Sequence, residues 1–139
     1  MDKSEWDRAK EQLQQGWPCG LVTLVADGYE VTLRLQPVDL MRNGIVVFVN
    51  NKFRSRWLIE DSEERRRFLP QREIPAMNRK AREEWNKLPK RTRERLMQDG
   101  VDPNRTYTVY TSHWTSWGAL VKHFEAHNAD IRIKEAAEC

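Results

Sequence analysis

Long apolar runs are missing from this sequence, and so are the marks of a secreted protein. No apolar stretch approaches the ~20 residues that a membrane-spanning helix requires. The first residues, MDKSEWDRAKEQ, are charged and contain no apolar core, so we expect no secretory signal there. Two cysteines, Cys19 and Cys139, are too few for a disulfide scaffold. We therefore expect free thiols and a cytoplasmic protein.

Motifs that carry common chemistry are also missing. The sequence has no G-x-G-x-x-G, no G-x-x-x-x-G-K and no G-x-S-x-G, which hold dinucleotides, phosphates and a nucleophilic serine respectively. Carboxylates are plentiful, but the pairs Glu63-Glu64 and Glu83-Glu84 are neighbours, which point apart on a helix. A Cys19 thiol paired with a histidine stays open, because the sequence does not show which residues meet in space. We predict a protein that is not an enzyme and needs no cofactor.

Hydrophobic periodicity predicts helices at both ends of the chain and in its middle. Asp2 or Ser4 can cap the first helix, and Pro89 separates two helices in the middle. Asn128 is a candidate left-handed terminator for the last helix. The predicted helices are 4–15, a short one beginning near Asp61 or Ser62, 76–88, 90–98, and one from Ser112 to His127.

Three dipeptides predict tight turns between strands: Asp27-Gly28, Asn43-Gly44 and Asn50-Asn51. The predicted strands are the two arms of 21–37, a central strand at 45–49, a return strand at 52–59, then 105–111 and 129–133. A helix over 53–68 is the alternative to the return strand. Six tryptophans spread along the chain fit one core that draws on every segment.

These elements predict an α+β fold of one domain, in which helices pack against an antiparallel sheet of about five strands. Residues 70–104 contain many basic residues and helix formers, and we expect them to form a basic helical insertion between strands.

Charge is unevenly distributed along the chain. Residues 52–95 contain fifteen Lys or Arg and eight Asp or Glu, net +7, whereas the remainder contains nine and thirteen, net −4. Arginine predominates, and its planar fork suits phosphate and carboxylate groups. With Trp57, Phe68 and Trp85 interleaved, this pattern is typical of a nucleic-acid-binding surface. The predicted binding residues are Lys52, Arg54, Arg56, Arg65, Arg66, Arg79, Arg82, Lys90, Arg91 and Arg93.

A solvated, salt-bridged surface is the alternative interpretation of the same residues. Glu83, Glu84 and Glu94 stand at helical spacing from basic residues and can pair with them. Trp85 shares its helix face with other apolar residues, as a core residue would. The three arginines of 65–67 spread over about 200° of a helix, so at most two can meet one partner.

His123 and His127 stand four residues apart, the spacing that lets two imidazoles reach one metal ion. Glu125 points away from His123, unlike the general base of H-E-x-x-H sites, where the acid follows the first histidine directly. On the predicted helix, His113 would lie about 15 Å from His123, beyond coordination distance. A cysteine or distant carboxylate would have to complete the site. We predict no metal site, and binding through the pair stays an alternative.

Two blocks, FVNNKFRSRWLIEDSEERRRF (48–68) and WTSWGALVKHFEAHNADIRI (114–133), resemble segments of small bacteriophage and prophage proteins of unknown activity. They cover under a third of the chain. The resemblance implies an accessory role in a phage or mobile element, acting in the host cytoplasm, and it implies no catalytic residues.

Charge and resemblance together predict a small accessory protein that binds nucleic acid or a nucleoprotein complex through its arginines. One alternative is an inhibitor of a host defence system, of the anti-CRISPR or anti-restriction type, that binds an acidic host protein directly. The other alternative is a metal-binding protein that uses His123 and His127.

Overall fold

A computed structural model describes residues 1–16 and 19–134 of the chain. Helices and strands are intermixed along it, so the fold class is α+β, as predicted. In chain order the elements are α1 (Lys3–Gln14), β1 (Leu21–Ala26), β2 (Tyr29–Pro37), β3 (Asn43–Val49), a 3₁₀ helix (Ser55–Leu58), α2 (Glu63–Phe68), β4 (Gln71–Pro75), α3 (Arg79–Lys87), α4 (Lys90–Gln98), β5 (Thr106–Tyr110), β6 (His113–Trp114), α5 (Trp117–His127) and β7 (Ile131–Ile133).

The chain forms two compact units. The first unit combines residues 1–70 with 110–139, and the second unit comprises Gln71–Val109. The second unit overlaps the segment 70–104 that the sequence marks as a basic insertion. No helix within 1–16 or 19–134 is both long and apolar enough to cross a membrane.

The first unit is built on a five-stranded sheet in the order β6-β3-β2-β1-β7. Every neighbouring pair is antiparallel, which confirms the predicted sheet. Alternating residues such as Leu24, Leu33 and Val47 are completely buried and share one face. The same core cluster contains residues of α1, α2 and α5, among them Phe68 and Phe124, so these helices cover that face.

Two of the three predicted turns are confirmed by left-handed backbone. Asp27 and Gly28 have φ of 47° and 88° and join β1 to β2. Asn50 and Asn51 have φ of 51° and 64°, and the residues on either side, Val49 and Lys52, exchange two backbone hydrogen bonds. Asparagine and aspartate tolerate this conformation better than other non-glycine residues do.

The third predicted turn, Asn43-Gly44, is wrong. Both residues lie in β3, where Gly44 pairs with Gln36, and the chain reverses over residues 38–42 instead. A Cβ on Gly44 would come within 2.8 Å of the His113 ring and of a Val38 methyl carbon. Glycine is therefore needed at this position because neighbouring side chains leave no room.

The predicted return strand at 52–59 is also wrong. Only Lys52 forms a bridge, to Val49, and Ser55–Leu58 is a 3₁₀ helix. The tight turn brings the Phe53 ring edge-on to the buried Trp57, with 5.7 Å between ring centroids, whereas a strand would hold residues four apart at about 13 Å. The alternative, a helix over 53–68, is wrong too, since α2 begins separately at Glu63. It starts next to Ser62, one of the two predicted starting residues, whose Oγ caps the helix by accepting from the Arg65 N–H.

The last helix begins later than predicted. Residues His113 and Trp114 pair with β3 as β6, and Ser116 rather than Ser112 caps α5. Asn128 has φ −134° and ψ 134°, so the predicted left-handed terminator is wrong and the backbone is extended. Its side chain is buried and hydrogen-bonded instead. The short closing strand is confirmed as β7.

The amino-terminal helix has the predicted cap, because Asp2 Oδ1 accepts from the Glu5 N–H at 2.9 Å. Beyond it, Cys19 is disulfide-bonded, so the expected free thiol is wrong at this position. Cys139 and Trp17 lie outside the described residues.

In the second unit, β4 and β5, apart from the last residue of β5, form a two-stranded sheet, and α3 and α4 are separated at Pro89 as predicted. Strand β4 was not predicted. Helix α3 begins three residues later than expected because Asn78 caps it, its Oδ1 accepting from the Ala81 N–H at 2.8 Å. Trp85 is buried in this unit and is not a member of the core cluster around Leu24 and Phe124.

Candidate nucleic-acid interface

The ten predicted binding residues are divided equally between the two units. The first unit holds Lys52, Arg54, Arg56, Arg65 and Arg66, and the second holds Arg79, Arg82, Lys90, Arg91 and Arg93. The two sets differ in their ion pairs, burial and neighbouring charges, and these differences determine which side chains are available to bind a partner.

The arginines of α2 are engaged within the first unit. Asp61 accepts from Arg66 Nη1 at 2.6 Å and from Arg65 Nε at 3.4 Å. The Arg65 guanidinium also lies over the Tyr110 ring, 4.3 Å from its centroid, and donates to the Trp57 carbonyl at 3.4 Å. These arginines therefore already have anionic, carbonyl or aromatic partners.

Arg67 joins the first hairpin to the carboxyl end of the unit. Its Nη1 donates to Asp27 Oδ2 at 2.7 Å and to Asn128 Oδ1 at 3.1 Å. The backbone N–H groups of Ala129 and Asp130 each donate to Asp27 at 2.9 Å. These two donors, followed by the Arg67 guanidinium, hold the pKa of Asp27 below its ordinary value. Arg67 and Asp27 are thus structural partners.

Lys52, Arg54 and Arg56 line a first-unit cleft of about 460 Å³ over the buried Trp57. All three cations are exposed, and none has an ion pair with any residue in the described ranges. The cleft also contains three carboxylates. Its lining is Val49, Asn50, Lys52, Arg54, Arg56, Trp57, Glu60, Asp61, Ser62 and Glu64. The balance of cations and carboxylates leaves little attraction for a polyanion.

The second unit carries the excess of positive charge. Residues 71–109 contain ten Lys or Arg and six Asp or Glu, net +4, whereas the rest of the chain contains fourteen and fifteen, net −1. Helix α4 has no buried residue and contains four basic residues and one acidic residue. Arg91 and Arg95 stand one turn apart on its exposed side, and neither forms an ion pair with a described residue.

The other basic residues of α4 are less available. Lys90 lies 3.9 Å from Glu94, a long and exposed ion pair. The Nε of Arg93 is buried and has no hydrogen-bond partner among the described residues, so this side chain faces inward in part. Among the predicted residues of α4, Arg91 is therefore the one best placed to meet a partner.

A second-unit cleft of about 440 Å³ opens beside the start of α3. Arg82 is fixed in it, since its guanidinium donates to the Pro103 carbonyl at 2.7 Å and to Asn104 Oδ1 at 3.3 Å. The lining contains three arginines and no carboxylate among the described residues. It comprises Pro75, Met77, Asn78, Arg79, Arg82, Pro103, Asn104, Arg105 and Thr106.

The aromatic residues interleaved with the basic segment are core residues. Trp57, Phe68 and Trp85 are 5%, 0% and 8% exposed, so none can stack on a base. Tyr107, which sequence reasoning did not single out, is 50% exposed, and its ring centroid lies 5.0 Å from the Arg105 guanidinium carbon. The i, i+2 spacing of Arg105 and Tyr107 at a predicted strand could have indicated this pair, because residues at that spacing lie on the same face of a strand.

The two histidines of α5 donate to backbone carbonyls. His123 Nε2 lies 2.9 Å from the Arg66 carbonyl oxygen, and His127 Nδ1 lies 2.9 Å from the His123 carbonyl oxygen. A carbonyl only accepts, so both of these nitrogens carry protons, and a metal ion could bind only the other ring nitrogen of each histidine. The rings stack with centroids 4.0 Å apart. Burial, and then the neighbouring His127, lower the pKa of His123.

Within residues 1–16 and 19–134, a third metal ligand is not found beside this pair. His113 belongs to β6 and not to the predicted helix face. Nowhere in the part of the chain that the structure describes do three His, Cys, Asp or Glu side chains converge as a metal site would require. The geometry therefore gives no support to the metal-binding alternative.

His123 also takes part in a second arrangement, a set of side-chain hydrogen bonds at the carboxyl end of α2. The last carbonyls of a helix have no partner within it. The carbonyls of Arg66, Arg67 and Phe68 each accept from a side chain that follows the second unit in the sequence. The donors are His123 at 2.9 Å, Asn128 at 3.4 Å and Trp114 at 2.9 Å.

Comparison of the chain with protein-family models, with characterised proteins and with solved structures finds no match. The resemblance of 48–68 and 114–133 to phage segments stays a prediction. A function for this protein is inferred from the charge and geometry of its own residues.

Proposed function

We propose that this protein is a non-enzymatic nucleic-acid-binding protein and that its second unit provides the binding surface. The supporting observation is the charge of the two units, +4 over 71–109 against −1 over the rest of the chain. Nucleic acid attracts such a surface because cations on the protein replace counterions condensed on the phosphates, and release of those counterions favours binding.

Helix α4 supplies the simplest contact. It lies at the surface of the unit along its whole length, about 13 Å at 1.5 Å per residue, which matches a few phosphates of a nucleic-acid strand. Arg91 and Arg95 stand one turn apart on it, and neither forms an ion pair with a residue that the structure describes. Each guanidinium can bind a phosphate through two parallel hydrogen bonds.

The first unit contributes less to this proposal. Arg65 and Arg66 are paired with Asp61, and breaking those contacts offsets any gain from phosphate. Lys52, Arg54 and Arg56 share their cleft with three carboxylates, which repel a polyanion.

The test is fluorescence anisotropy with labelled DNA and RNA oligonucleotides, titrated from about 50 to 200 mM salt. The variant R91E/R95E removes both exposed arginines of α4. Its matched control is R8E/K10E, which makes the same change of net charge on the exposed side of α1 in the first unit. We expect R91E/R95E to lose binding and R8E/K10E to keep most of it.

The salt dependence gives a second reading of the same experiment. The slope of log affinity against log salt is about −0.9 per phosphate contact on duplex DNA. Loss of two contacts should flatten it by about 1.8. Absence of binding at about 50 mM salt, or equal losses in the two variants, would refute the proposal.

A protein-directed activity, such as inhibition of a host defence complex, is the second candidate. The supporting observation is the β2–β3 loop, where Leu40 and Met41 are 102% and 92% exposed. Within the loop, Asp39 Oδ1 accepts from the Met41 N–H at 2.9 Å. Adjacent exposed apolar side chains often mark protein contacts. Affinity capture from nuclease-treated bacterial lysate should recover a stoichiometric partner with the wild type and lose it with L40S/M41S.

A further inference from the structure

We propose that the second-unit cleft takes one unstacked nucleotide of a single-stranded nucleic acid. Its phosphate would enter the cleft and pair with Arg79 and Arg105, and its base would stack outside the lining, on the Tyr107 ring next to Arg105. This inference rests on the proposed function for the class of ligand. It adds a preference for single strands and a set of residues distinct from the exposed arginines of α4.

The size and lining of the cleft fit the phosphate end of one nucleotide. Its volume of about 440 Å³ lies within the range of roughly 300–1,000 Å³ that is usual for small-ligand sites. Pro75, Met77 and Pro103 give it apolar walls. Three guanidinium groups line it, and the lining contains no carboxylate among the described residues.

The three arginines divide into a fixed one and two available ones. Arg82 is held by the Pro103 carbonyl and the Asn104 side chain, so it positions the segment that closes the cleft. Arg79 is 95% exposed, and its ion pair with Glu83 is long at 3.4 Å. A phosphate, with its greater charge, can displace that carboxylate and bind the guanidinium through two hydrogen bonds.

Arg105 connects the charged lining to an aromatic platform. It lines the cleft, and its guanidinium carbon lies 5.0 Å from the centroid of the Tyr107 ring. Half of Tyr107 is exposed, unlike Trp57, Phe68 and Trp85. An exposed ring beside a guanidinium is what a base needs for stacking while its phosphate is neutralised.

The geometry favours a single strand because a base must leave its own stack to lie on Tyr107. In a duplex the bases are stacked on each other and paired, so no base face is accessible without the cost of unstacking. A single strand presents its bases at little cost, so the cleft adds affinity for single strands that it cannot add for duplexes.

The first arm of the test changes the ring. Anisotropy is measured with a fluorescein-labelled oligonucleotide of about 12 nucleotides and with the duplex of the same sequence. We expect Y107A to weaken single-strand binding about tenfold and to leave duplex binding unchanged, as one lost base stack would. Y107F keeps the ring and should bind both probes as the wild type does.

The second arm changes the charges around the cleft. R79Q/R105Q should weaken single-strand binding more than duplex binding, whereas R91E/R95E should weaken both to the same degree. E83Q removes the carboxylate that competes for Arg79 and should strengthen single-strand binding. These side chains are exposed, so the far-ultraviolet circular dichroism of every variant should match that of the wild type.

Equal affinity of the wild type for the two probes would overturn this inference, and so would equal losses of both affinities in Y107A. In either case the proposed function survives, because nucleic acid still binds. Failure of both probes to bind the wild type at about 50 mM salt would instead refute the proposed function itself, and with it this inference.

Discussion

Replacement of Trp114 by phenylalanine tests whether the side-chain cap on α2 stabilises the first unit. Trp114 is 6% exposed, and its indole N–H donates to the Phe68 carbonyl at 2.9 Å in a buried environment. Phenylalanine keeps an aromatic ring that can still pack edge-on against Phe124, whose ring centroid lies 6.3 Å away. It removes the donor and part of the ring volume.

Two terms set the expected loss of stability. A buried carbonyl left without a donor costs about 1–3 kcal/mol. The lost ring volume leaves a small cavity, for which we add about 1 kcal/mol by comparison with other conservative core truncations. The free energy of unfolding should therefore fall by about 2–4 kcal/mol, and Tm should fall by roughly 4 °C for each kcal/mol in a protein of this size.

Trp117 provides the matched control for the same substitution. It is half-buried, its ring lies edge-on to Trp6 at 5.9 Å, and its indole N–H has no hydrogen-bond partner among the described residues. Trp117→Phe should cost no more than about 1 kcal/mol. Both variants are unfolded in urea and followed by circular dichroism. If their stabilities agree within about 0.5 kcal/mol, water reaches the Phe68 carbonyl and the cap does not stabilise the unit.

Three further predictions concern titration and buried polarity. D27N keeps the left-handed turn but loses the charge. Because hydrogen bonding and Arg67 lower the pKa of Asp27, this substitution should destabilise the protein at neutral pH. Thermal melts should show the difference in stability from the wild type shrinking as the pH falls below 3.8. The pKa of His123 is lowered, so wild-type stability should fall as the pH drops from 6.5 towards the pKa of the folded state. H123Q can still donate to the Arg66 carbonyl, and its free energy of unfolding, measured in urea titrations, should change less steeply with pH over that range. An unchanged slope would contradict this prediction. R93M removes a buried Nε that has no hydrogen-bond partner among the described residues, so urea unfolding should show stability equal to or greater than that of the wild type. The slope of log affinity for nucleic acid against log salt should stay that of the wild type.

Local sequence signals predicted the parts of the fold that depend on local backbone preference. The Asp27-Gly28 and Asn50-Asn51 turns need left-handed backbone at two successive residues, and few residue types accept it. Asn43-Gly44 has the same composition and lies in a strand. There the glycine is required by its neighbours His113 and Val38, one of which is distant in the chain. A dipeptide alone does not distinguish these two reasons for glycine.

The candidate site shows the same division between local and distant contacts. Asp61 stands four and five residues before Arg65 and Arg66, and helical spacing could have indicated those ion pairs. The partner of Arg67 across the first unit, Asp27, could not have been found in this way. Basic composition marked residues 70–104, which overlap the second unit, but the exposure of Tyr107 and the burial of Trp57 depend on how the chain folds back on itself.

The strand order of the first unit also has a consequence for the time course of folding. Strands β1, β2 and β3 form a continuous antiparallel meander, while both edge strands, β6 and β7, come from beyond the second unit. At roughly 5–20 residues per second, a ribosome completes the meander on the order of ten seconds before it completes Ile133. During that interval both edge strands of the meander, β1 and β3, have unpaired backbone groups. The carbonyls at the end of α2 have not yet gained their side-chain donors. The nascent chain is therefore most exposed to strand-to-strand aggregation while the second unit is being made.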